Sequence, residues 1–292
     1  MEPRDYGPFA YTPINRRPQL RWPNGARVAL WVIPNIEFFS LKRPLAGHPF
    51  EKAGADVPTV RPWGQRDYGN RIGIFRIMEV LNRYGVRATA TVNADIVDHH
   101  PQILEDALKH GWELMGHNLT NGIRLTGLSP QEEQAVIHGS LDKLQKFSGR
   151  RPRGWLGSGL AETWNTLDVL SAAGVEYVSD WVNDEHPYEI RTKHGPLVSV
   201  PYSIELNDIP MMVIQHHTSD EWLRRCVDHF DRLYAEGARQ PRVMALAVHP
   251  YNSGVPHRIK YFEAVYDYIR KKKGVWMTTG EEIYEWYKRS RR

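Results

Sequence analysis

The 292-residue sequence has a single cysteine, Cys226, which excludes an intramolecular disulfide and a zinc site built from cysteine ligands. It has no apolar run of about 18 residues, and its first residues lack the apolar stretch of a secretion signal. We therefore expect neither a membrane span nor secretion, with the cytoplasm as the default location. The net charge is also small, since the chain has 38 basic and 34 acidic residues and a formal charge of +4. So small an excess favours a solvated surface over a nucleic-acid-binding patch.

The composition favours one folded domain with a sizeable core. Hydrophobic residues make up 41% of the chain and charged residues 25%, as in globular proteins. Prolines recur through residues 1–26 and predict an extended arm over the surface of a single domain at residues 27–292. The chain also has 10 Trp and 14 Tyr. Aromatic residues in such number wall a pocket, pack a core or form a subunit interface.

Predicted strands and helices alternate along the whole domain. Residues 26–34 are almost continuously apolar, as in a strand buried on both faces of a parallel sheet. Apolar residues at helical spacing, ended by Gly85, predict a helix that opens at Asp67. We therefore expect a largely parallel sheet that is closed, or nearly closed, into a barrel. Further strands are predicted at 86–92, 112–116, 154–157, 176–179, 197–201, 211–215, 243–248 and 275–278, and further helices at 101–110, 129–147, 165–173, 219–236, 258–272 and 281–287.

Residues 38–70 form the longest predicted stretch without regular structure, and they contain several prolines. A loop of this length inside a compact domain is normally functional. It predicts a lid over a site or a contact between subunits. Together with the proline-rich arm, the loop offers aromatic surface that a single copy would struggle to bury, so we expect a homo-oligomer.

Polar side chains stand where several predicted strands end. Glu37 and Asn93 follow the first two strands, and His117, Asp180 and His249 follow later ones. Because the carboxyl ends of parallel barrel strands face one rim, these side chains should meet there. Carboxylates and imidazoles suit hydrolysis, in which groups activate water, stabilise the oxyanion and protonate the leaving nitrogen. Spacing alone leaves hydrolase, lyase and isomerase open, and each histidine taken singly also fits a buried residue bonded to the backbone.

Six short motifs occur in a specific order: DYGNR at 67–71, HGWELMGH at 110–117, RPRGWLG at 151–157, SDWVNDEHPY at 179–188, VPYSIELNDIP at 200–210 and AVHPY at 247–251. The set resembles the polysaccharide deacetylase family (carbohydrate esterase family four) from about Arg27 to Trp286. It looks closest to the branch that contains allantoinases, related cyclic-amide hydrolases and peptidoglycan deacetylases. The resemblance implies an α/β fold, a distorted (β/α)7 barrel, and hydrolysis of a carbon–nitrogen bond other than a peptide bond. Relatives in this branch are often tetramers.

The resemblance implies roles for three residues at the strand ends. Glu37, His117 and His249 are implied to be catalytic, and His249 would protonate the leaving nitrogen or stabilise the tetrahedral intermediate. The apolar strand before His249 and Pro250 after it predict an imidazole that is held in place. An imidazole that titrates near neutral pH suits proton transfer to an amide nitrogen.

Metal-binding members of the family offer one aspartate and two histidines in H-x-x-x-H, with a second aspartate as base. This chain departs from that pattern. Asn35 and Glu37 stand where deacetylases of the branch carry two aspartates, and Asn121 stands where the second histidine belongs. Since a carboxamide is a weak ligand for zinc, we expect any divalent metal to contact Glu37, His117 and Asn121 and to be held weakly. Allantoinase-type relatives also have an altered metal motif, so loss of the metal need not mean loss of activity.

A second set of polar residues is predicted to contact the substrate. Asp67 and Arg71 either clamp a carboxylate or urea-like group or cap the helix. Asp184 and Tyr188 look like substrate contacts, the alternatives being a turn residue and a packed ring. The full set of predicted substrate-binding residues is Asn35, Asp67, Arg71, Asp180, Asp184, Tyr188, Asn207 and Asp208.

Two other polar pairs have local interpretations. Asn207 and Asp208 form a plain Asx turn if the resemblance is set aside. His216 and His217 are adjacent on a predicted strand, so they face opposite sides and cannot both line a site.

Three functions are consistent with the sequence. The first is a small-molecule amidohydrolase that acts on a ureide or another cyclic or linear amide. The second is an N-deacetylase that acts on an amino sugar or a polysaccharide. The third is an inactive barrel that binds a ligand or partner. The long loop at 38–70 and the DEHPY loop at 184–188 suggest a closed groove, which favours a small substrate over a polymer.

Overall fold

The computed structural model describes residues 5–42 and 58–291, which form nine strands and ten α-helices. The strands are β1 (Val28–Ile36), β2 (Thr89–Val92), β3 (Glu113–Gly116), β4 (Gly154–Trp155), β5 (Tyr177–Val178), β6 (Tyr188–Ile190), β7 (Leu197–Ser199), β8 (Arg242–Val248) and β9 (Val275–Thr278). The helices are α1 (Val60–Tyr68), α2 (Ile74–Arg83), α3 (Ile96–His99), α4 (Pro101–Lys109), α5 (Pro130–Ser148), α6 (Thr166–Ala172), α7 (Ser219–Glu236), α8 (Pro250–Ser253), α9 (Ile259–Ile269) and α10 (Gly280–Ser290).

Seven parallel strands form the body of the sheet, in the order β7, β5, β4, β3, β2, β1, β8. β9 pairs with the first half of β1 in parallel, whereas β6 pairs with β7 in antiparallel orientation at one edge. Among the described residues the outer strands β6 and β8 do not pair, although the N–H of Val243 donates to the carbonyl of Glu185 across the gap. The sheet is a curled, open barrel, and the predicted distorted (β/α)7 fold is confirmed.

β8 shows how the sheet is buried on both faces. Val243 and Ala245 face the interior of the barrel, whereas Met244 and Leu246 face outward into the core that α7 and α9 help to form. Burial on both sides explains the nearly continuous apolar run of this strand. The residue that follows β8 is therefore carried by a rigid element at the carboxyl rim of the barrel.

Two long helices begin where capping residues occur in the sequence. The Ser129 hydroxyl accepts a hydrogen bond from the N–H of Glu132 at 3.3 Å, and the Glu132 carboxylate accepts from the N–H of Ser129 at 2.8 Å. Thr218 and Glu221 form the same reciprocal pair at the start of α7. Each pair satisfies N–H groups that the first helical turn leaves free, which explains the accurate prediction of both starts.

No helix of the described residues is long and apolar enough to cross a membrane.

The chain between β1 and β2 is more helical than the sequence predicts. α1 begins at Val60 rather than Asp67, and a π-helical turn at Gly69–Gly73 joins it to α2. The predicted irregular stretch is therefore wrong from residue 60 onward, while residues 43–57 lie outside the described residues. The early helix start depends on tertiary packing, since α1 and the π-helical turn both pack on α8.

Residues 211–215 are helical, and their prediction as a strand is wrong. A π-helical turn spans Ile209–Ile214, with Pro210 in its first turn. The Asn207 side chain accepts from the N–H of Ile209 at 2.9 Å and sets the direction of this turn. His216 follows the turn in a left-handed conformation, with φ of 59°, so the predicted facing of the two adjacent histidines no longer applies.

The amino-terminal residues 5–26 lie along the barrel and are attached by aromatic contacts. Phe9 is buried and packs edge-on against Trp181 and Tyr188, with ring centroids 5.2 and 5.0 Å apart. The indole N–H of Trp22 donates to the carbonyl of Arg242 at 3.0 Å. The boundary between this arm and the domain stays a prediction.

Candidate active site

The three predicted catalytic residues lie together at the carboxyl rim. Glu37 follows β1, His117 follows β3 and His249 follows β8. Glu37 Oε1 is 3.5 Å from Nε2 of His249 and 3.9 Å from Nε2 of His117. Their exposed fractions are only 7%, 2% and 7% for Glu37, His117 and His249. The parallel barrel therefore brings one carboxylate between two imidazoles in a largely buried setting.

His249 is held from behind by Asp208, which is completely buried. Asp208 Oδ1 accepts from Nδ1 of His249 at 2.7 Å, and its Oδ2 accepts from the N–H of His249 at 2.9 Å and from the hydroxyl of Ser253 at 2.5 Å. Burial lowers the pKa of His249, but the charges of Asp208 and Glu37 outweigh it and raise the pKa to about 10. His249 is therefore an imidazolium at neutral pH, with Nε2–H facing Glu37. Asp208 positions this imidazolium, which corrects its predicted role as a substrate contact.

Glu37 is ionised despite its burial. Burial raises the pKa of Glu37, but the charge of His249 and the hydrogen bond from His249 lower it to about 2. The amide of Asn121 donates to Oε1 at 2.9 Å, and the amide of Asn70 donates to the backbone carbonyl at 2.9 Å. Among the described residues Oε2 has no hydrogen-bond partner. One oxygen of this carboxylate is thus free to accept a hydrogen bond from water or substrate.

His117 is oriented by the backbone of the neighbouring strand connection. Its Nδ1 lies 2.5 Å from the carbonyl of Leu156, which assigns the proton of the neutral ring to Nδ1 and a lone pair to Nε2. The amide of Asn93 donates to the His117 carbonyl and accepts from the N–H of Phe38. Asn93 therefore ties the ends of β1 and β3 together, which fixes the position of Glu37 relative to His117.

Asn35 and Asn207 brace the barrel beneath the site. The Asn35 amide accepts from the hydroxyl of Thr91 at 2.8 Å and donates to the carbonyl of Val248 at 3.3 Å, so it connects β1 to β2 and β8. The amide of Asn207 donates to the hydroxyl of Tyr202 at 2.8 Å. These bonds engage both asparagines with the protein itself, so we assign them positioning roles instead of the predicted substrate contacts.

Asp67 and Arg71 lie on the helical segment beside the site. Asp67 Oδ2 is 3.9 Å from Arg71, and its Oδ1 is 3.5 Å from Nε2 of His100. The Arg71 side chain is 73% exposed. Since α1 begins at Val60, Asp67 does not cap the helix, and that alternative is wrong. The two side chains therefore pair with each other, and their role as a clamp for the substrate stays a prediction.

The two glycines of the DYGNR region allow this segment to pack directly on the residues after His249. A Cβ at Gly69 would lie 2.6 Å from the backbone N of Tyr251, and one at Gly73 would lie 2.2 Å from the carbonyl oxygen of Pro250. Contacts this close exclude any side chain at either position unless the backbone moves. Gly69 and Gly73 therefore let this helical segment pack closely against the backbone of Pro250 and Tyr251.

The largely buried side chain of Asp180 interacts with the carboxyl of Glu162. The N–H of Gly157 donates to Asp180 Oδ1 at 2.7 Å, while Asp180 Oδ2 has no partner among the described residues. Burial raises the pKa of Asp180 to about 7, and burial together with Asp180 raises the pKa of Glu162 well above its ordinary value. Both raised pKa values favour the state in which one of the two carboxyls is protonated. The substrate-binding role of Asp180 stays a prediction, and Glu162 was not predicted from the sequence.

Asp184 and Tyr188 face the amino-terminal arm. Both carboxylate oxygens of Asp184 accept from Arg17 at 2.6 Å. The hydroxyl of Tyr188 donates to Asn183 at 2.7 Å, and its ring packs on Phe9. Asp184 also accepts from the N–H groups of Glu185 and His186, as a turn residue does, so the turn and packing alternatives describe the two residues.

Two further residues at the rim were missed from the sequence. The ring of Tyr251 lies 5.6 Å from that of His249, and burial and the charge of Glu37 raise the pKa of its hydroxyl. Arg66 lies over the Tyr251 ring at 5.5 Å. The AVHPY motif includes Tyr251, so its place two residues after His249 was a usable signal. No signal in the sequence marked Arg66, because the direction of its side chain depends on where α1 begins, and that start was not predicted.

The donors at this site do not fit a catalytic zinc ion. Nε2 of His117 and the carboxylate of Glu37 are suitable ligands, but Asn121 presents its NH₂ group to Glu37. His249 is held between the carboxylates of Asp208 and Glu37, at 2.7 and 3.5 Å. No group of three histidine, cysteine or acidic side chains in the described residues could hold a metal ion. We therefore derive no step through a metal.

Comparisons with known proteins support the family resemblance. A sequence model described as "Polysaccharide deacetylase" matches residues 67–178. The chain is similar to the polysaccharide deacetylases. A protein of Schizosaccharomyces pombe described as "Putative polysaccharide deacetylase" is 28% identical and aligns over 97% of this chain and 96% of its own length. The predicted resemblance is confirmed, and so is the predicted enzyme class at family level, hydrolases of carbon–nitrogen bonds other than peptide bonds.

Solved structures show the same fold. A probable polysaccharide deacetylase of Pseudomonas aeruginosa PAO1 has a TM-score of 0.84 at 24% identity, covering 94% of this chain and 95% of its own. The "Puue Allantoinase" structure has a TM-score of 0.84 at 23% identity, covering 94% of each chain. The deacetylase-type barrel of this chain is thus shared with both proteins.

Proposed function

We propose that this chain hydrolyses an amide carbon–nitrogen bond in a small molecule, with a cyclic or linear ureide as the first substrate class to test. The observation that carries the proposal is the Glu37 carboxylate between the Nε2 atoms of His117 and His249, with His249 held as an imidazolium by Asp208. The arrangement places a proton acceptor and a proton donor at one reacting centre, which amide hydrolysis requires.

The proton transfers can be assigned to named atoms. A water molecule donates to Glu37, and its oxygen adds to the carbonyl carbon of the amide. As the carbon–nitrogen bond breaks, Nε2 of His249 gives its proton to the leaving nitrogen. The proton taken from water then passes to His249 over the 3.5 Å that separates it from Glu37, and both groups return to their starting states. The acyl product is a carboxylic acid, or a carbamic acid when the carbonyl belongs to a carbamoyl group, and the other product is the amine or urea that leaves with the proton from His249.

His117 and Tyr251 complete the surroundings of the reaction. The Nε2 lone pair of His117 can accept a hydrogen bond from the attacking water, because Nδ1–H is engaged with a backbone carbonyl. Burial keeps the Tyr251 hydroxyl protonated, so it can donate to the negative oxygen that develops on the carbonyl. Both groups would stabilise the transition state without changing charge.

The burial of the reacting groups supports a small substrate. Glu37 and His249 are each only 7% exposed, so little of either is open to a polymer lying on the surface. The allantoinase among the structural neighbours adds support for a ureide. A second candidate, N-deacetylation of an amino sugar, is supported by the description of the matching family and of the S. pombe relative. Both reactions use the same groups.

We also keep the predicted homo-oligomer, a tetramer by analogy with relatives, and the cytoplasmic location as proposals.

The test is turnover of cyclic ureides, linear ureides and N-acetylated amino sugars by the purified chain, with Glu37→Gln compared with wild type. We expect hydrolysis of a ureide and a loss of about 10²-fold or more in kcat for the variant. Glu105→Gln, an exposed change on α4, is the matched control and should keep full activity. Activity on amino sugars alone would favour the second candidate. Absence of turnover on every amide would leave the inactive binding protein.

A further inference from the structure

Arg66 has an unusual environment at the rim of the site. Its guanidinium carbon lies 4.9 Å from the ring centroid of Phe39 and 5.5 Å from that of Tyr251. Phe39 follows Glu37 by two residues, and Tyr251 follows His249 by two. The cation is therefore held between two rings that adjoin the reacting groups, and cation–π attraction restricts where it can move.

The hydrogen-bonding capacity of Arg66 is mostly unused. One terminal nitrogen donates to the carbonyl of Pro62 at 3.1 Å, while Nε is buried and has no partner among the described residues. Within residues 5–42 and 58–291 no carboxylate lies within ion-pair distance of Arg66. The adjacent acid, Asp67, turns toward Arg71 and His100 instead. A guanidinium with several free donors beside a catalytic site is arranged to receive an anion.

The charge of the site supports the same conclusion. Two carboxylates, Glu37 and Asp208, flank the single imidazole of His249 at 3.5 and 2.7 Å, so acidic groups outnumber the basic one in this cluster. An anionic substrate would be repelled by the cluster unless a cation compensated for it. Arg66 supplies that charge at the rim, where a substituent of the substrate would lie, and its planar fork matches the two oxygens of a carboxylate.

From these observations we propose that Arg66 anchors a carboxylate of the substrate, so that the chain acts on amides or ureides that carry a carboxylate, such as N-carbamoyl or N-acyl acids. This inference rests on the proposed amide hydrolysis for its substrate class. Arg66 is thereby a specificity-determining residue, and it takes no part in the proton transfers. Uncharged analogues should bind more weakly, because they leave the guanidinium without a partner.

The test uses pairs of N-carbamoyl amino acids and their carboxamides, which differ only in the carboxylate. Wild type should prefer the acid of a pair. Arg66→Gln should raise KM for the acid about 10- to 100-fold, with little change in kcat, and leave the carboxamide unaffected. Arg66→Lys keeps the positive charge but loses the planar guanidinium, so its KM for the acid should lie between those of wild type and Arg66→Gln. Arg61→Gln removes the same charge from an exposed position of the same helix and should behave as wild type.

Calorimetric titration of the same acids and carboxamides separates this inference from the proposed activity. If wild type hydrolyses neither compound but binds the acid more tightly, and Arg66→Gln alone abolishes that difference, the anchor stands and the activity fails. If wild type hydrolyses both compounds of each pair equally well and binds them equally, the activity stands and the anchor is overturned. An equal loss on acid and carboxamide in Arg66→Gln would also overturn it, since that result indicates a purely structural role.

Discussion

Asp208 contacts His249 through both of its carboxylate oxygens, one on the imidazole Nδ1 at 2.7 Å and one on the backbone N–H at 2.9 Å. This double contact sets the direction of the ring and keeps it charged. A histidine that is charged across the neutral range acts as a proton donor, whereas an ordinary histidine would be mostly neutral at pH 7. The contact with Asp208 therefore makes His249, rather than Glu37, the group that supplies the proton.

Replacing Asp208 by Asn should reduce activity far more than stability. We expect kcat to fall about 10²–10⁴-fold, because the variant loses the charge that keeps His249 protonated and oriented. Circular dichroism checks that the fold survives, and Asp228→Asn on the exposed face of α7 is the control. A rate within about threefold of wild type would contradict the role of Asp208.

The pH dependence should follow the two perturbed groups. The pKa of His249 is raised from 6.5 to about 10, so its contribution to stability is complete below pH 6.5 and is lost as the pH rises through 10. The pKa of Glu37 is lowered from 4.5 to about 2, so its contribution is complete above pH 4.5 and is lost as the pH falls through 2. The alkaline limb of kcat should therefore lie near pH 10. Urea unfolding from pH 4 to 10 with His249→Gln as reference measures the stability term, and a kinetic limb near pH 6.5 would show an unperturbed histidine.

Removal of metal should leave the activity intact. In the described part of the chain no group of three histidine, cysteine or acidic side chains could hold a metal ion, and Asn121 already donates to Glu37. Exhaustive dialysis against a chelator, followed by assay and elemental analysis, should show full turnover without zinc. Added zinc should bind weakly. If the chelator abolishes activity and one equivalent of zinc restores it, these donors bind zinc more tightly than we expect and the reaction needs the metal.

The close approach of Gly73 to Pro250 predicts a sharp contrast between two glycine substitutions. Gly73→Ala would place a methyl group 2.2 Å from the carbonyl oxygen of Pro250, so the segment after His249 must shift. We expect about 1–3 kcal/mol of destabilisation together with reduced kcat. Gly64→Ala on α1 meets nothing within 4 Å and should stabilise by up to about 1 kcal/mol. Thermal unfolding of both variants tests the pair, and equal stability would refute the steric argument.

Local signals in the sequence were sufficient for many elements. The reciprocal pair of Ser129 and Glu132 marks the start of α5, and the apolar run at 243–248 marks β8, because both depend on residues adjacent in the chain. The same reasoning placed Glu37, His117 and His249 at strand ends. Parallel strands then bring their carboxyl ends to one rim, so the core of the site could be predicted before any distance was known.

The sequence by itself determined the barrel class, the strand ends and the three residues gathered there, because apolar periodicity and strand direction are properties of the local chain. Tertiary structure alone decided that Asp208 holds His249 and that α1 begins at Val60 with Arg66 against Tyr251. It also decided that residues 211–215 are helical. These features depend on contacts between segments far apart in the sequence, where packing and hydrogen bonding outweigh local propensity.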